Sequence, residues 1–241
     1  MKTLHNFIFN VYPYICLAVF FMGSLARFDR DQYTWKSDSS QLLRKAQLRW
    51  GSNLFHGGIL FLFFGHLFGQ LTPHGLYEIF VTASQKQLIA VVAGGVAGGL
   101  CFIGLTMLLH RRLFDPRIRL TSHRTDIAIL IILWVQLVIG LSTLPASLHH
   151  VSDPQTMLRL AEYLQGIVLM QPNAALVAGI EWHFQAHMLL GMTIFLLFPF
   201  SRLVHVWSGF GTLAYLVRPY QMVRARRLNV PAGQSQPRRV G

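Results

Sequence analysis

Long apolar runs alternate along the chain with short polar and basic stretches. Apolar side chains dominate residues 7–25, 53–71, 88–109, 127–144 and 182–206. Each run approaches the roughly 20 residues with which a helix crosses a bilayer, and a helix satisfies its own backbone there. The pattern predicts an all-α integral membrane protein with five transmembrane helices. The first run ends in Ser24, Leu25 and Ala26, which resembles a signal-peptidase site. The next segment, however, carries Arg27, Arg30, Lys36, Arg44, Lys45 and Arg49, and such a loop resists export. The first run is therefore read as a retained span. Pro199 inside the fifth run predicts a kink. Residues 163–180 are apolar enough to suggest a sixth span, but Gln165, Gln171, Pro172 and Asn173 interrupt them. They are read as an interfacial or re-entrant element. Residues 1–228 form one membrane domain, and the Pro/Gly/Ser-rich, basic 229–241 form a disordered tail.

Composition agrees with the pattern: 53% of residues are hydrophobic and only 12% charged, where soluble domains run near a quarter charged. Of the 21 Lys and Arg, all but Lys2, Lys86 and Arg159 fall in 27–50, 110–125 or the tail from Arg202. The positive-inside rule then sets the N-terminus outside and the C-terminus in the cytoplasm. A sixth span would put the basic tail outside. The net charge of +12 thus records topology rather than a nucleic-acid footprint. Cys16 and Cys101 both lie in apolar runs and read as core packing. Gly94, Gly95, Gly98 and Gly99 make two overlapping small-xxx-small pairs, read as close helix packing. No internal repeat is visible, which weakens an inverted-repeat transporter.

The chemistry lies in the histidines. His56 and His66 sit within the second span, while His183, His187 and His205 lie on or near the fifth. Ionisable groups at membrane depth are rare and functional by default, whereas a lone histidine there is more simply an interhelical hydrogen-bond partner. Glycines accompany both members of the second span: Gly57 and Gly58 follow His56, and Gly65 and Gly69 bracket His66. They clear room for something bulky or for another backbone. The two spans run in opposite directions, so depth pairs His66 with His187 and His56 with His205. Each pair could clamp a haem iron from both sides. At the helical rise the members lie about 15 Å apart on the second span and about 27 Å apart on the fifth, a mismatch that tilt and the Pro199 kink must absorb. Eighteen residues are about five turns, so His187 and His205 share a helix face. His183 lies one turn before His187 and could replace it, but Gly191 clears space beside His187. All nine carboxylates lie in loops or at span edges, against a cation or proton pump. Two axial histidines leave an iron no open position, so such haems carry electrons.

The stretches YPYICLAVFFMGSLARFDRDQYTW, SNLFHGGILFLFFGHLFGQLTPH, RRLFDPR and HMLLGMTIFLLFPFSRLVHVWS carry a resemblance to the gamma (cytochrome b) subunit of membrane-bound respiratory nitrate reductase. It covers residues 1 to about 227; the segment 146–178 and the tail match less well. The resemblance implies two haem b groups, the outer on His66 and His187 and the inner on His56 and His205. It implies a subunit of a quinol:nitrate oxidoreductase in the bacterial inner membrane. Quinol would be oxidised near the outer haem, with protons released outside. Electrons would pass inward to an iron–sulfur beta subunit and a molybdenum-containing alpha subunit on the cytoplasmic face, where nitrate is reduced. It also implies a quinol pocket at Lys86, Gly65 and His66. Taken alone, Lys86 reads as an interfacial lysine with its head among lipid headgroups. The basic loops read equally as topology with lipid attraction or as a docking surface for the partner subunits. Two alternatives stay open: a related dihaem cytochrome b of a sulfite- or heterodisulfide-reductase-type complex, and a haem-free anchor or transporter.

Overall fold

The computed structural model describes residues 2–30 and 45–207, with only the backbone of Lys45. Among the described residues, five helices are long and apolar enough to cross a membrane. We number them, with one shorter amphipathic helix, in chain order: α1 (Lys2–Arg30), α2 (Lys45–Leu71), α3 (Ala83–Phe114), α4 (Arg124–His149), α5 (Gln155–Val168) and α6 (Trp182–Leu197). The spans α1 to α4 are longer than their apolar runs, because polar and basic first and last turns continue the helix into the interface. The tail 229–241 lies outside the described residues.

The main packing runs α2 to α3 to α4 to α6 to α1, with α5 laid against α2. Small residues set the close crossings. A Cβ on Gly58 would come within 2.7 Å of the Ala97 carbonyl and of Cys101 Cβ, and one on Gly98 within 2.7 Å of Leu141. Cys16 and Cys101 are both 1% exposed, as core packing requires. Gly94 and Gly99, in contrast, face no neighbouring atom within 4 Å, so interhelical contact explains only part of that glycine cluster.

Residues 163–180 form no span. Helix α5 has 14 residues, about 21 Å of rise against a hydrocarbon core of about 30 Å. A 3-10 turn at Ala174–Leu176 follows. Both are fixed to the start of α1, where one π-helical turn spans Phe7–Val11. Tyr163 Oη donates to the Phe9 carbonyl at 2.7 Å, and the Ala174 N–H donates to Asn10 Oδ1 at 2.7 Å. Phe9, Tyr163, Ile167, Ala174 and Val177 close into a buried apolar cluster. The first span is thus a structural wall of the bundle.

The fifth span departs from expectation. Pro199 does not kink a continuous helix; α6 stops at Leu197, a 3-10 turn covers Phe198–Phe200, and Ser201 is extended at φ −117° and ψ 174°. A second 3-10 turn, Arg202–Val204, leads to His205. Proline lacks an N–H and crowds the preceding turn, which ends the ladder. The freed carbonyls find a partner on α1: Arg27 Nη1 donates to Pro199 O at 2.7 Å and to Ser201 O at 2.8 Å. One turn earlier, Gly23 leaves room for the proline, since a Cβ there would lie 2.8 Å from Pro199 Cγ. The shared-face phase argument for His187 and His205 therefore does not hold, because no single helix joins them.

Candidate functional site

The four histidines expected from the sequence meet in two pairs. The rings of His66 and His187 have centres 6.2 Å apart at 41° between planes. Those of His56 and His205 are likewise 6.2 Å apart, at 74°. Because both pairs close to one separation, the break after Leu197 takes up the mismatch in helical rise. His183 meets no other imidazole among the described residues; its ring lies against Trp182 and Phe184 and its Nε2 is buried without a partner.

In every paired ring Nδ1 faces a backbone carbonyl. His56 Nδ1 donates to Ser52 O at 2.8 Å and His66 Nδ1 to Leu62 O at 2.7 Å. His187 Nδ1 donates to Gln136 O at 3.2 Å and His205 Nδ1 to Arg202 O at 2.7 Å. A carbonyl cannot donate, so Nδ1 carries the proton in each neutral ring and Nε2 keeps its lone pair. This is how metal-binding histidines are oriented. A metal that takes one nitrogen from each ring at about 2 Å spaces the ring centres by about 6 Å. Among the described residues no cluster of three or more His, Cys, Asp or Glu could hold a metal ion. A pair offering only two nitrogens suits an iron whose other four positions come from a macrocycle, so the donor set fits haem.

Space around the two pairs is divided among glycines. Gly65 and Gly69 face no atom within 4 Å, and the same holds for Gly57 beside His56. The expectation for Gly191 needs correction. A Cβ there would meet Gln136 Nε2 at 3.2 Å, whereas a Cβ on Gly140 would lie 2.7 Å from His187 Cε1. Gly140 on α4 thus clears the His187 ring, and Gly191 admits Gln136, whose Nε2 donates to His187 O at 3.0 Å. The sequence pointed to neither Gly140 nor Gln136, because both lie on a helix that carries none of the four paired histidines.

A cavity of about 450 Å³ opens beside the His66–His187 pair, and Gly65, His66 and Lys86 all line it. Thr82 and Gln85 form a capping box at the start of α3, which fixes Lys86 in the first turn. A cation there opposes the helix dipole. Its ammonium group instead sits 3.6 Å from the centre of the Tyr77 ring. Gln87 and Gln70 also line the cavity, and each has a buried amide oxygen with no protein partner. Gln87 Nε2 donates to Ser147 O at 2.6 Å, which ties α3 to the end of α4. The outer wall includes His150, whose Nε2 lies 2.9 Å from Glu181 Oε1. That hydrogen bond holds the Glu181 carboxyl below its ordinary range.

At the other end, the buried Asp126 carboxylate lies 3.4 Å from Arg112 Nη1 and 3.3 Å from Arg202 Nη1. Arg202 also supplies the carbonyl that orients His205. The ion cluster therefore fixes the segment carrying His205.

Two imidazole pairs within a bundle of long apolar helices, one pair beside a ligand-sized cavity, define a helical membrane protein whose donor set fits haem. The model of one family, described as nitrate reductase gamma subunit, matches residues 5–226. The respiratory nitrate reductase 1 gamma chain of Escherichia coli (strain K12) is 48% identical over 94% of this chain and 100% of the relative. The respiratory nitrate reductase 2 gamma chain of the same strain is 49% identical over the same shares. The nitrate reductase gamma chain of Bacillus subtilis (strain 168) is 37% identical over 91% of this chain and 97% of that one. The chain belongs to the nitrate reductase gamma subunit family. It is the membrane cytochrome b subunit of an oxidoreductase complex in anaerobic electron transport. The match favours nitrate reductase over the sulfite- and heterodisulfide-type alternatives.

Proposed function

We propose that this subunit oxidises quinol beside His66 and His187 and passes the electrons inward to an iron–sulfur partner, from which a molybdenum subunit reduces nitrate. The N-terminus and the Lys86 end face outward from the bacterial inner membrane; the basic segments and the C-terminus face the cytoplasm. Haem b, held by each pair, would supply a one-electron carrier. The observation that carries this reading is the pair of equal 6.2 Å imidazole gaps with all four Nδ1 atoms turned to carbonyls.

The chain's own residues do the remaining work. His66 and His187 hold the outer group, and His56 and His205 the inner one. Apolar walls and the α5 cap enclose the quinol head. Lys86 donates to one quinol oxygen, and the free amide oxygens of Gln70 and Gln87 match hydroxyl donors. Protons leave on the outer side while electrons leave on the inner, so turnover charges the membrane. The test is a haem count from reduced-minus-oxidised spectra and pyridine haemochrome. Wild type should hold two b haems per chain, and a chain with no Soret band would leave only the anchor reading.

A further inference from the structure

The proposed reaction leaves two protons to place, and neither imidazole pair can take them, because each Nε2 is committed to iron. The cavity wall offers one other imidazole, His150, at the carboxyl end of α4. Its backbone N–H is held by Ala146 O and Leu148 O, so its position is set by the helix. Ser147, three residues earlier and on the same face, accepts the hydrogen bond from Gln87 beside Lys86. Both partners of the His150–Glu181 pair are partly exposed, at 38% and 39% of their side chains, so the pair spans cavity and exterior. Nearby charges do not replace it. Arg159 of α5 is bound to the carbonyls of Ala175 and Ala178, while His149, Asp153 and Glu162 are exposed.

Resting on the quinol-oxidising reading above, we propose that His150, oriented by Glu181, is the base that takes the quinol protons. The carboxylate accepts from Nε2–H, which leaves Nδ1 with the free lone pair. One quinol O–H bond breaks and one N–H bond forms at Nδ1, while the accompanying electron would pass to the one-electron acceptor that His66 and His187 would hold. The imidazolium is held by Glu181 and by the carbonyl end of α4, both of which favour positive charge. It then gives the Nδ1 proton to external water. A second round removes the other proton and electron and leaves quinone. Glu181 does not touch quinol; it is a positioning residue that fixes the tautomer.

The test uses membrane vesicles carrying the complete complex. Quinol-driven haem reduction is followed by stopped-flow absorbance, and quinone binding is titrated separately, in wild type, His150→Gln, His150→Gly and Glu181→Gln. At saturating quinol the rate should fall about 100-fold in both His150 variants, in the range of a lost general base, with quinone Kd within about twofold. Added imidazole should recover about a tenth of the lost rate in His150→Gly and none in His150→Gln. Glu181→Gln should lower the rate about tenfold, with haem content and Kd kept. A rate within about threefold of wild type in His150→Gln, a parallel loss of Kd or haem, or no rescue by imidazole would each overturn the assignment. Wild-type complex whose haems quinol does not reduce overturns the underlying reading as well. Normal wild-type reduction with unaffected variants removes His150 alone.

Discussion

The His66–His187 pair and the His56–His205 pair keep the same 6.2 Å between ring centres, yet one borders a 450 Å³ cavity and the other a broken helix. Around the first, glycines face open space, two buried amide oxygens lack partners, and the wall carries one cation. Around the second, guanidinium groups meet a buried carboxylate and the carbonyls that the helix break exposes. Ligand geometry alone therefore does not distinguish the two ends. Their surroundings do: one pair adjoins a cavity with unpartnered amide oxygens, and the other adjoins an ion cluster that fixes a chain segment. That asymmetry is what the proposed inward electron path requires.

The comparison is broken most severely at the ligands. His66→Ala or His187→Ala should remove the outer haem and reduce quinol oxidation by at least about 100-fold, with the inner haem kept. His205→Ala should remove the inner haem while a quinone analogue still binds. Difference spectra and a haemochrome count read both. Loss of only the inner haem in His66→Ala would reverse the pairing.

Much of this was legible in the sequence, because membrane helices announce themselves by length and hydropathy and a buried imidazole is conspicuous among Leu and Phe. Pairing by depth required only the antiparallel order of spans. What stayed hidden was every contribution from a helix that carries none of the four paired histidines. Gly140, Gln136, Gly23 and Arg27 support the ligands from α4 and α1, and nothing in their own runs marks them. Pro199 was visible, but a proline's local rule says only that the ladder is disturbed. Whether a helix bends or ends there depends on whether another element can satisfy the freed carbonyls, and Arg27 lies 172 residues away.

The bracing of the break sharpens the comparison at an intermediate scale. Gly23→Val drives a side chain into Pro199 and should cost about 1–3 kcal/mol, as overpacking does. Arg27→Met leaves the Pro199 and Ser201 carbonyls short of a donor and should cost about 1–3 kcal/mol. Both should lower the thermal midpoint and deplete the inner haem first. Gly140→Ala makes the opposite case, because its new Cβ meets the His187 ring. It should perturb the outer haem spectrum and leave the inner one unchanged. Equal depletion of both haems in any of the three variants would mean that the two ends do not act independently.

The smallest effects test the cavity itself. Lys86→Ala should weaken quinone-analogue binding about tenfold, the loss of roughly 1.4 kcal/mol, with both haems retained. Tyr77→Leu keeps the lysine but removes the ring face beneath its ammonium group, an interaction of about 0.5–2 kcal/mol. If the ring serves to hold Lys86 against the helix dipole, Tyr77→Leu should weaken binding a few-fold, and the double variant should bind no worse than Lys86→Ala. Additive losses would instead mean that Tyr77 contributes to the cavity by its own packing. Unchanged affinity in Lys86→Ala would return that lysine to the headgroup region and leave the free amide oxygens as the cavity's principal recognition groups.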